Sequence, residues 1–246
     1  LMRKSFRISL IAVFGALHAV LYLLSFGLGG WRNWAIYMEA MEGIILGPQA
    51  GFLAALLGSS IARTITYDPL WMFGIIAEPV SVMATGFLAR GKWKPAFAVY
   101  SVMLLAYFIH PYGRMLPLWT ILDVLLAFVL IYPAAKLSSG LYKITPNRLP
   151  ISLVLIAFVC TATDSLVRIF LLVPVGFYSM FFSSFQELQG IFTGAALLSY
   201  VEDALVTTVS LIVGVPLMVA LARLRFFSEK EKSEPKPASP NLVESE

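Results

Sequence analysis

Five apolar runs, at residues 8–26, 70–89, 117–136, 151–173 and 204–222, are long enough, or nearly so, to cross a bilayer core of about 30 Å. Apolar residues make up 59% of the chain and charged residues 13%, with a mean hydropathy of +0.83, a balance that no soluble core of this length needs. The expected fold class is all-α, a polytopic helical membrane protein of the cell membrane. A shorter run at 95–110 adds another segment. The stretch 36–63 is too long for one ordinary span and is broken by Gly47-Pro48, so it reads as two short helices, 36–46 and 48–63. Eight membrane segments result.

Lys and Arg gather on the cytoplasmic side of membrane proteins, and their placement supports that number. With the amino terminus inside, Arg3, Lys4, Arg7, Arg90, Lys92, Lys94, Lys136, Lys143, Arg148, Arg223 and Arg225 all fall inside, leaving Arg32, Arg63 and Arg114 outside. A single crossing over 36–63 would put the later basic loops outside. Both termini are therefore expected in the cytoplasm, with an integral membrane domain at 1–226 and a tail at 227–246. The tail is rich in Glu, Lys, Ser and Pro, which cannot bury enough surface to order itself, so it is expected to be disordered.

The net charge of +4 comes mostly from these anchoring loops and suits anionic lipid headgroups; no nucleic-acid motif is present. Cys160 is the single cysteine, which rules out an internal disulfide and a Cys-based metal cluster. The basic-then-apolar amino terminus imitates a signal peptide, but 8–26 runs into Gly27-Leu28-Gly29-Gly30 without a small-residue cleavage site, so it reads as a spanning helix. Nothing resembles a paired-Asp protease, a His-Glu-x-x-His helix or a Gly-x-Ser-x-Gly elbow, and no cofactor or metal is expected.

Charged residues inside apolar segments mark candidate sites, because such groups normally face a bundle interior or a cavity. Glu39 and Glu42 stand three apart, so a helix places both on one face, where they suit a cation or a shared proton. Alternatively, in so short a helix Glu39 lies at the outer headgroup level in water. Glu78 lies near the middle of 70–89, and Pro79 after it withdraws an amide, a device found at kinks beside cavities. Tyr107-Phe108-Ile109-His110 closes one segment, and Trp119 opens the next with Asp123 one turn deeper, so aromatic and polar groups meet at one membrane face. A capping or interhelical bond accounts for His110 and Asp123 as well as ligand contact does. Trp31 and Trp34 form either an interfacial belt or a lid.

Other charges read as structural. Asp164 and Arg168 are four apart in the favourable order for an intrahelical pair, and Glu202 and Asp203 suit the amino terminus of a helix over 204–222. His18 has no titrating neighbour in sequence, so packing or an interhelical bond is expected. Ala12, Gly15, Ala16 and Ala19 make a smooth strip on the first span, where another helix can approach closely.

Over roughly 8–136 the pattern resembles the substrate-binding S component of energy-coupling-factor vitamin transporters. The resemblance lies in Ala12-x-x-x-Ala16, a short second helix, the Gly47-Pro48-Gln49-Ala50-Gly51 turn, and a fourth helix ending in Gly86-x-x-x-Arg90. It implies that Ala12 and Ala16 contact a transmembrane coupling subunit, that ATPase subunits supply energy, and that Trp31 and Trp34 lie in an outer lid. A narrower similarity is to thiamine-binding members, in which Glu78, Tyr107, His110 and Trp119 would meet a flat cationic ligand. S components usually have six helices, so 151–173 and 204–222 are two additions. The function expected is a membrane-embedded, non-enzymatic subunit binding a small aromatic or cationic solute from the outer side, with Glu39, Glu42 and Asp123 as further pocket candidates. The alternatives are a stand-alone proton- or ion-coupled transporter and a structural subunit of a membrane complex.

Overall fold

The computed structural model describes residues 4–26, 33–66, 68–139, 141 and 148–223. Within them the chain is helical, with α1 (Lys4–Phe26), α2 (Ile36–Leu46), α3 (Pro48–Ile65), α4 (Trp71–Leu88), α5 (Trp93–Ile109) and α6 (Pro111–Met115) in the first half. A 3₁₀ turn at Leu118–Ile121 leads into α7 (Leu122–Ser138), followed by α8 (Leu149–Leu172), α9 (Tyr178–Phe181) and α10 (Phe185–Val209). Among the described residues, five helices are long and apolar enough to cross a membrane: Ser5–Ser25, Trp71–Leu88, Leu118–Ser138, Leu149–Leu172 and Phe185–Arg223. Trp93–Ile109 is apolar but shorter. The proposed tail at 227–246 and Trp31 lie outside the described residues.

The break at Gly47-Pro48 forms as the sequence expects. Gly47 adopts φ +83°, a left-handed backbone open to glycine, and its amide closes α2 on the Gly43 carbonyl at 2.9 Å. Pro48 then starts α3, where its missing N–H leaves no bond unmade. Glycines also set how closely the helices pack. A Cβ at Gly43 would lie 2.5 Å from the Val82 carbonyl oxygen of α4, and one at Gly58 would lie 2.6 Å from the His18 Cβ of α1. The α2–α3 elbow is thereby clamped between α1 and α4.

Helices α4 and α8 are the most buried of the long helices, and α1 and α10 the least. The outward faces of α1 (Val13, Leu17, Val20, Leu24) and α3 (Leu53, Leu57, Ile61, Ile65) are apolar at helical spacing, as a lipid-facing wall requires.

The last helix departs from expectation. It begins at Phe185, well before the apolar run at 204, so Glu202 and Asp203 sit inside it and do not cap its start. The reason is local: the Ser184 side chain accepts the Glu187 amide at 3.3 Å, and Glu187 accepts the Ser183 amide at 2.9 Å. This reciprocal cap starts the helix among polar residues that hydropathy alone passes over. Helical structure continues through a π turn at Ser210–Gly214 to Arg223, and Gly214 lies against Met41 of α2.

Candidate functional site

Glu78 of α4 is the hub of a buried charged array. Its carboxylate accepts from Arg63 twice, Nη2 to Oε1 at 2.6 Å and Nη1 to Oε2 at 3.1 Å, and from Asn33 Nδ2 at 2.9 Å. Ser59 donates to Oε2, His18 Nε2 lies 3.2 Å from it, and Arg168 Nη2 stands 3.5 Å from Oε1. Groups from α1, α3, α8 and the turn before α2 thus converge on one side chain. Two glycines clear the space: Gly58 faces His18, and a Cβ at Gly74 would collide with the Arg63 guanidinium. Arg63 is anchored further by Asp68 at 3.4 Å and by the Tyr22 ring, 4.7 Å beneath its guanidinium carbon.

His18 joins the hub to α2. Its Nδ1 lies 3.0 Å from Glu42 Oε2, so one imidazole touches two carboxyl groups with opposite nitrogens. A neutral ring donates to one of them and an imidazolium to both. Glu39, one turn earlier, accepts Ser81 Oγ at 2.6 Å. Oε1 of Glu39 and Oε1 of Glu42 have no hydrogen-bond partner among the described residues. Four buried carboxyl groups, Glu39, Glu42, Glu78 and Asp164, share the region with two guanidinium groups and one imidazole. Such a concentration of charge survives away from water only through this mutual bonding.

Arg168 leads from the array to a cavity. It holds Asp164 side-on, Nε to Oδ2 at 2.6 Å and Nη2 to Oδ1 at 3.2 Å, while its side chain also lines an apolar cavity of about 480 Å³. The walls come from Leu70 and Phe73 at the start of α4, Thr120 and Asp123 at the start of α7, and Ser165, Arg168, Ile169 and Leu172 of α8. Phe181 and Phe182 close one side; Ile191, Phe192, Ala195, Ala196 and Ser199 of α10 form another. A hydroxyl chain crosses the wall: Ser165 and Ser199 are 3.1 Å apart, and Ser199 donates to Asp123 Oδ2 at 2.9 Å.

Of the sequence candidates, Asp123 lines the cavity, and Glu78, Glu42 and Glu39 belong to the adjoining array. Trp34 is half-buried just before α2. Tyr107 is buried, and its hydroxyl finds no partner among the described residues. His110 caps α6, its Nδ1 accepting the Tyr112 amide at 3.2 Å, with the rings of Tyr112 and Tyr178 packed beside it. Trp119 is exposed, and its carbonyl accepts the Tyr200 hydroxyl. None of Trp34, Tyr107, His110 and Trp119 lines the cavity. Ala12 and Ala16 are exposed on α1, whereas Gly15 and Ala19 of the same strip turn inward toward α3. Asp164 and Arg168 form the expected pair, and Arg168 adds a contact to Glu78. Two features are not evident from the sequence: the inward turn of Arg63 to Glu78, and the convergence of His18, Ser59 and Asn33 on the same carboxylate. Among the described residues no group of three or more His, Cys, Asp or Glu side chains is placed to hold a metal ion.

No family model matches the chain, and no solved structure does. It is 24% identical over 131 residues to an uncharacterized protein of Methanocaldococcus jannaschii. That alignment takes in 52% of this chain and 44% of the relative, so the chain spans under half of that protein's length.

Proposed function

We propose that the chain is a substrate-binding subunit of a small-solute uptake system in the cell membrane, with eight membrane segments, both termini cytoplasmic and the ligand taken from the outer side. The observation that carries this reading is the cavity beside Arg168: about 480 Å³, within the range of ligand pockets, largely apolar, with a guanidinium, a carboxylate and hydroxyls in its wall. The reading is non-enzymatic. With no Walker motif in the chain, energy would come from separate ATPases through a transmembrane coupling subunit, as in the energy-coupling-factor systems that residues 8–136 resemble. Exposed Ala12 and Ala16 on α1 support a partner on that face. The thiamine-type form of the resemblance gives the ligand to Glu78, Tyr107, His110 and Trp119; the cavity is lined by other residues, so it is these that would meet the solute.

The test is purification under mild conditions, with mass spectrometry of associated chains and retained small molecules. A coupling subunit, ATPases and a retained solute are the expected result; a lone chain holding nothing would sink the reading. A stand-alone proton-coupled transporter is the second reading, favoured by one observation, the His18 ring between Glu42 and Glu78, which has the geometry of a proton relay. Uptake into liposomes by the purified chain alone, driven by a proton gradient, would select it.

A further inference from the structure

Most of the polarity in the cavity wall is already committed. Thr120 donates to the Pro117 carbonyl at 2.7 Å. Ser199 gives its one hydroxyl proton to Asp123 Oδ2, so Ser165 is the donor in its 3.1 Å contact with Ser199. Asp123 is held in the same way, with Oδ2 bonded to Ser199 and Oδ1 enclosed by protein. Arg168 is different. Its Nε and Nη2 are engaged by Asp164, but Nη1 makes no hydrogen bond among the described residues, and the side chain keeps 24% of its surface open where it borders the cavity. A guanidinium N–H only donates, so this wall asks its occupant for an acceptor.

The charges beside Arg168 decide what kind of acceptor fits. Asp164 holds the guanidinium side-on, and Glu78 Oε1 stands 3.5 Å from Nη2, so the positive charge is already balanced. A carboxylate arriving at Nη1 would meet an ion pair in place of a free cation, and would bring an unbalanced charge into a largely apolar space. An ammonium group meets the guanidinium as a like charge and leaves Nη1 without an acceptor. An uncharged carbonyl oxygen accepts from Nη1 and adds no charge to bury. The rest of the space is aromatic in character: Phe73, Phe181, Phe182 and Phe192 all line it.

We infer that the cavity takes an uncharged aromatic carbonyl compound, its oxygen accepting from Arg168 Nη1 and its ring packing on the phenylalanine side chains. This rests on the solute-binding reading above and adds the chemical class of the solute.

The test is photolabelling of the full chain in lipid nanodiscs with benzophenone, itself an uncharged aryl ketone, with the labelled residues mapped by mass spectrometry. Labels are expected on the cavity wall, within Phe181–Ser199 and Ser165–Leu172. Four naphthalenes then compete: 2-acetylnaphthalene, 2-naphthoate, 2-(aminomethyl)naphthalene and 2-ethylnaphthalene, each dosed by its content in the bilayer. The ketone should protect the wall at about tenfold lower dose than the ethyl compound, the size of one hydrogen bond to a charged donor. The anion and the cation should both protect less well than the ketone. Arg168→Lys, which keeps a charge for Asp164 but loses the planar fork, should bring the ketone down to the level of the ethyl compound and leave the latter within about twofold. If Arg168→Lys does not fold, the ranking on the unaltered chain decides the matter. Equal protection by ketone and ethyl compound, best protection by the anion or the cation, or a ketone preference that survives Arg168→Lys overturns the inference and leaves the cavity a solute site. Ala195→Trp places an indole in the cavity and should abolish labelling of its wall. Labelling undiminished by Ala195→Trp, or no label on the wall of the unaltered chain, overturns the solute-site reading itself.

Discussion

The charged array and the cavity share Arg168 but solve opposite problems. Around Glu78, side chains from several helices fill every direction, and glycines at 43, 58 and 74 bring the backbones close enough for them to meet. Around Ser199 the helices stand apart, and α10 faces the gap with Ala195 and Ala196. Charge density is therefore a poor guide to where open space lies in this molecule. The residues with the most bonds hold helices together, and the cavity is bordered instead by small and apolar side chains with a few hydroxyls.

The largest effect that tests this contrast is at Glu78. Replacing it with Gln keeps the shape but puts an amide donor against the Arg63 or Ser59 donors and strips the charge that balances Arg63. Removing one partner of a buried ion pair costs about 3–5 kcal/mol, so Glu78→Gln should lower the unfolding temperature in detergent markedly, followed by circular dichroism. A variant of unchanged stability that lost only ligand affinity would make Glu78 a pocket residue and dissolve the distinction.

Next in size are the helix contacts. A Cβ at Gly43 would stand 2.5 Å from the Val82 carbonyl oxygen and 2.8 Å from the Thr85 Cβ, neither of which moves without its helix. Overpacking of that kind costs about 1–3 kcal/mol, so Gly43→Ala should weaken resistance to denaturation by sodium dodecyl sulfate. On the cavity side, Ser199→Ala removes one donor from Asp123 and the acceptor of Ser165. The expected loss is nearer 1 kcal/mol, since neighbouring space lets solvent or a ligand replace the bond. Equal losses at the two positions would mean that the cavity wall is as tightly held as the array.

The parts of this contrast differ in how far the sequence reveals them. Backbone features were legible: Gly47-Pro48 marks the elbow because only glycine takes that φ and only proline starts a helix without an amide to satisfy. The Asp164–Arg168 pair was legible because both partners lie on one helix at a fixed spacing. Glu78 stood out as an acid among apolar neighbours. Its partners did not, because contacts between different helices leave no spacing in sequence. Arg63 follows an apolar stretch and looked like a loop charge, yet the helix runs on to Ile65 and folds its side chain inward. The cavity was hidden for a related reason. Ser165 and Ser199 are ordinary hydroxyls on separate helices, and the stretch that carries α10 into the site begins with a polar cap, Ser184 to Glu187, where a search for apolar runs finds only a loop.

The smallest effect concerns α10 itself. Gly190 and Gly194 are exposed, and a Cβ added at either meets nothing within 4 Å, unlike one at Gly43. With no packing to lose, Gly194→Ala changes only backbone freedom, which favours alanine in a helix by up to about 1 kcal/mol. The variant should therefore be slightly more stable than the parent in the same detergent assay, the opposite sign to Gly43→Ala. A loss comparable to that at Gly43 would mean that something packs on this face of α10 in the folded protein. The cavity side would then be a closed contact like the array, and the separation between a filled half and an open half would fail at the helix that defines it.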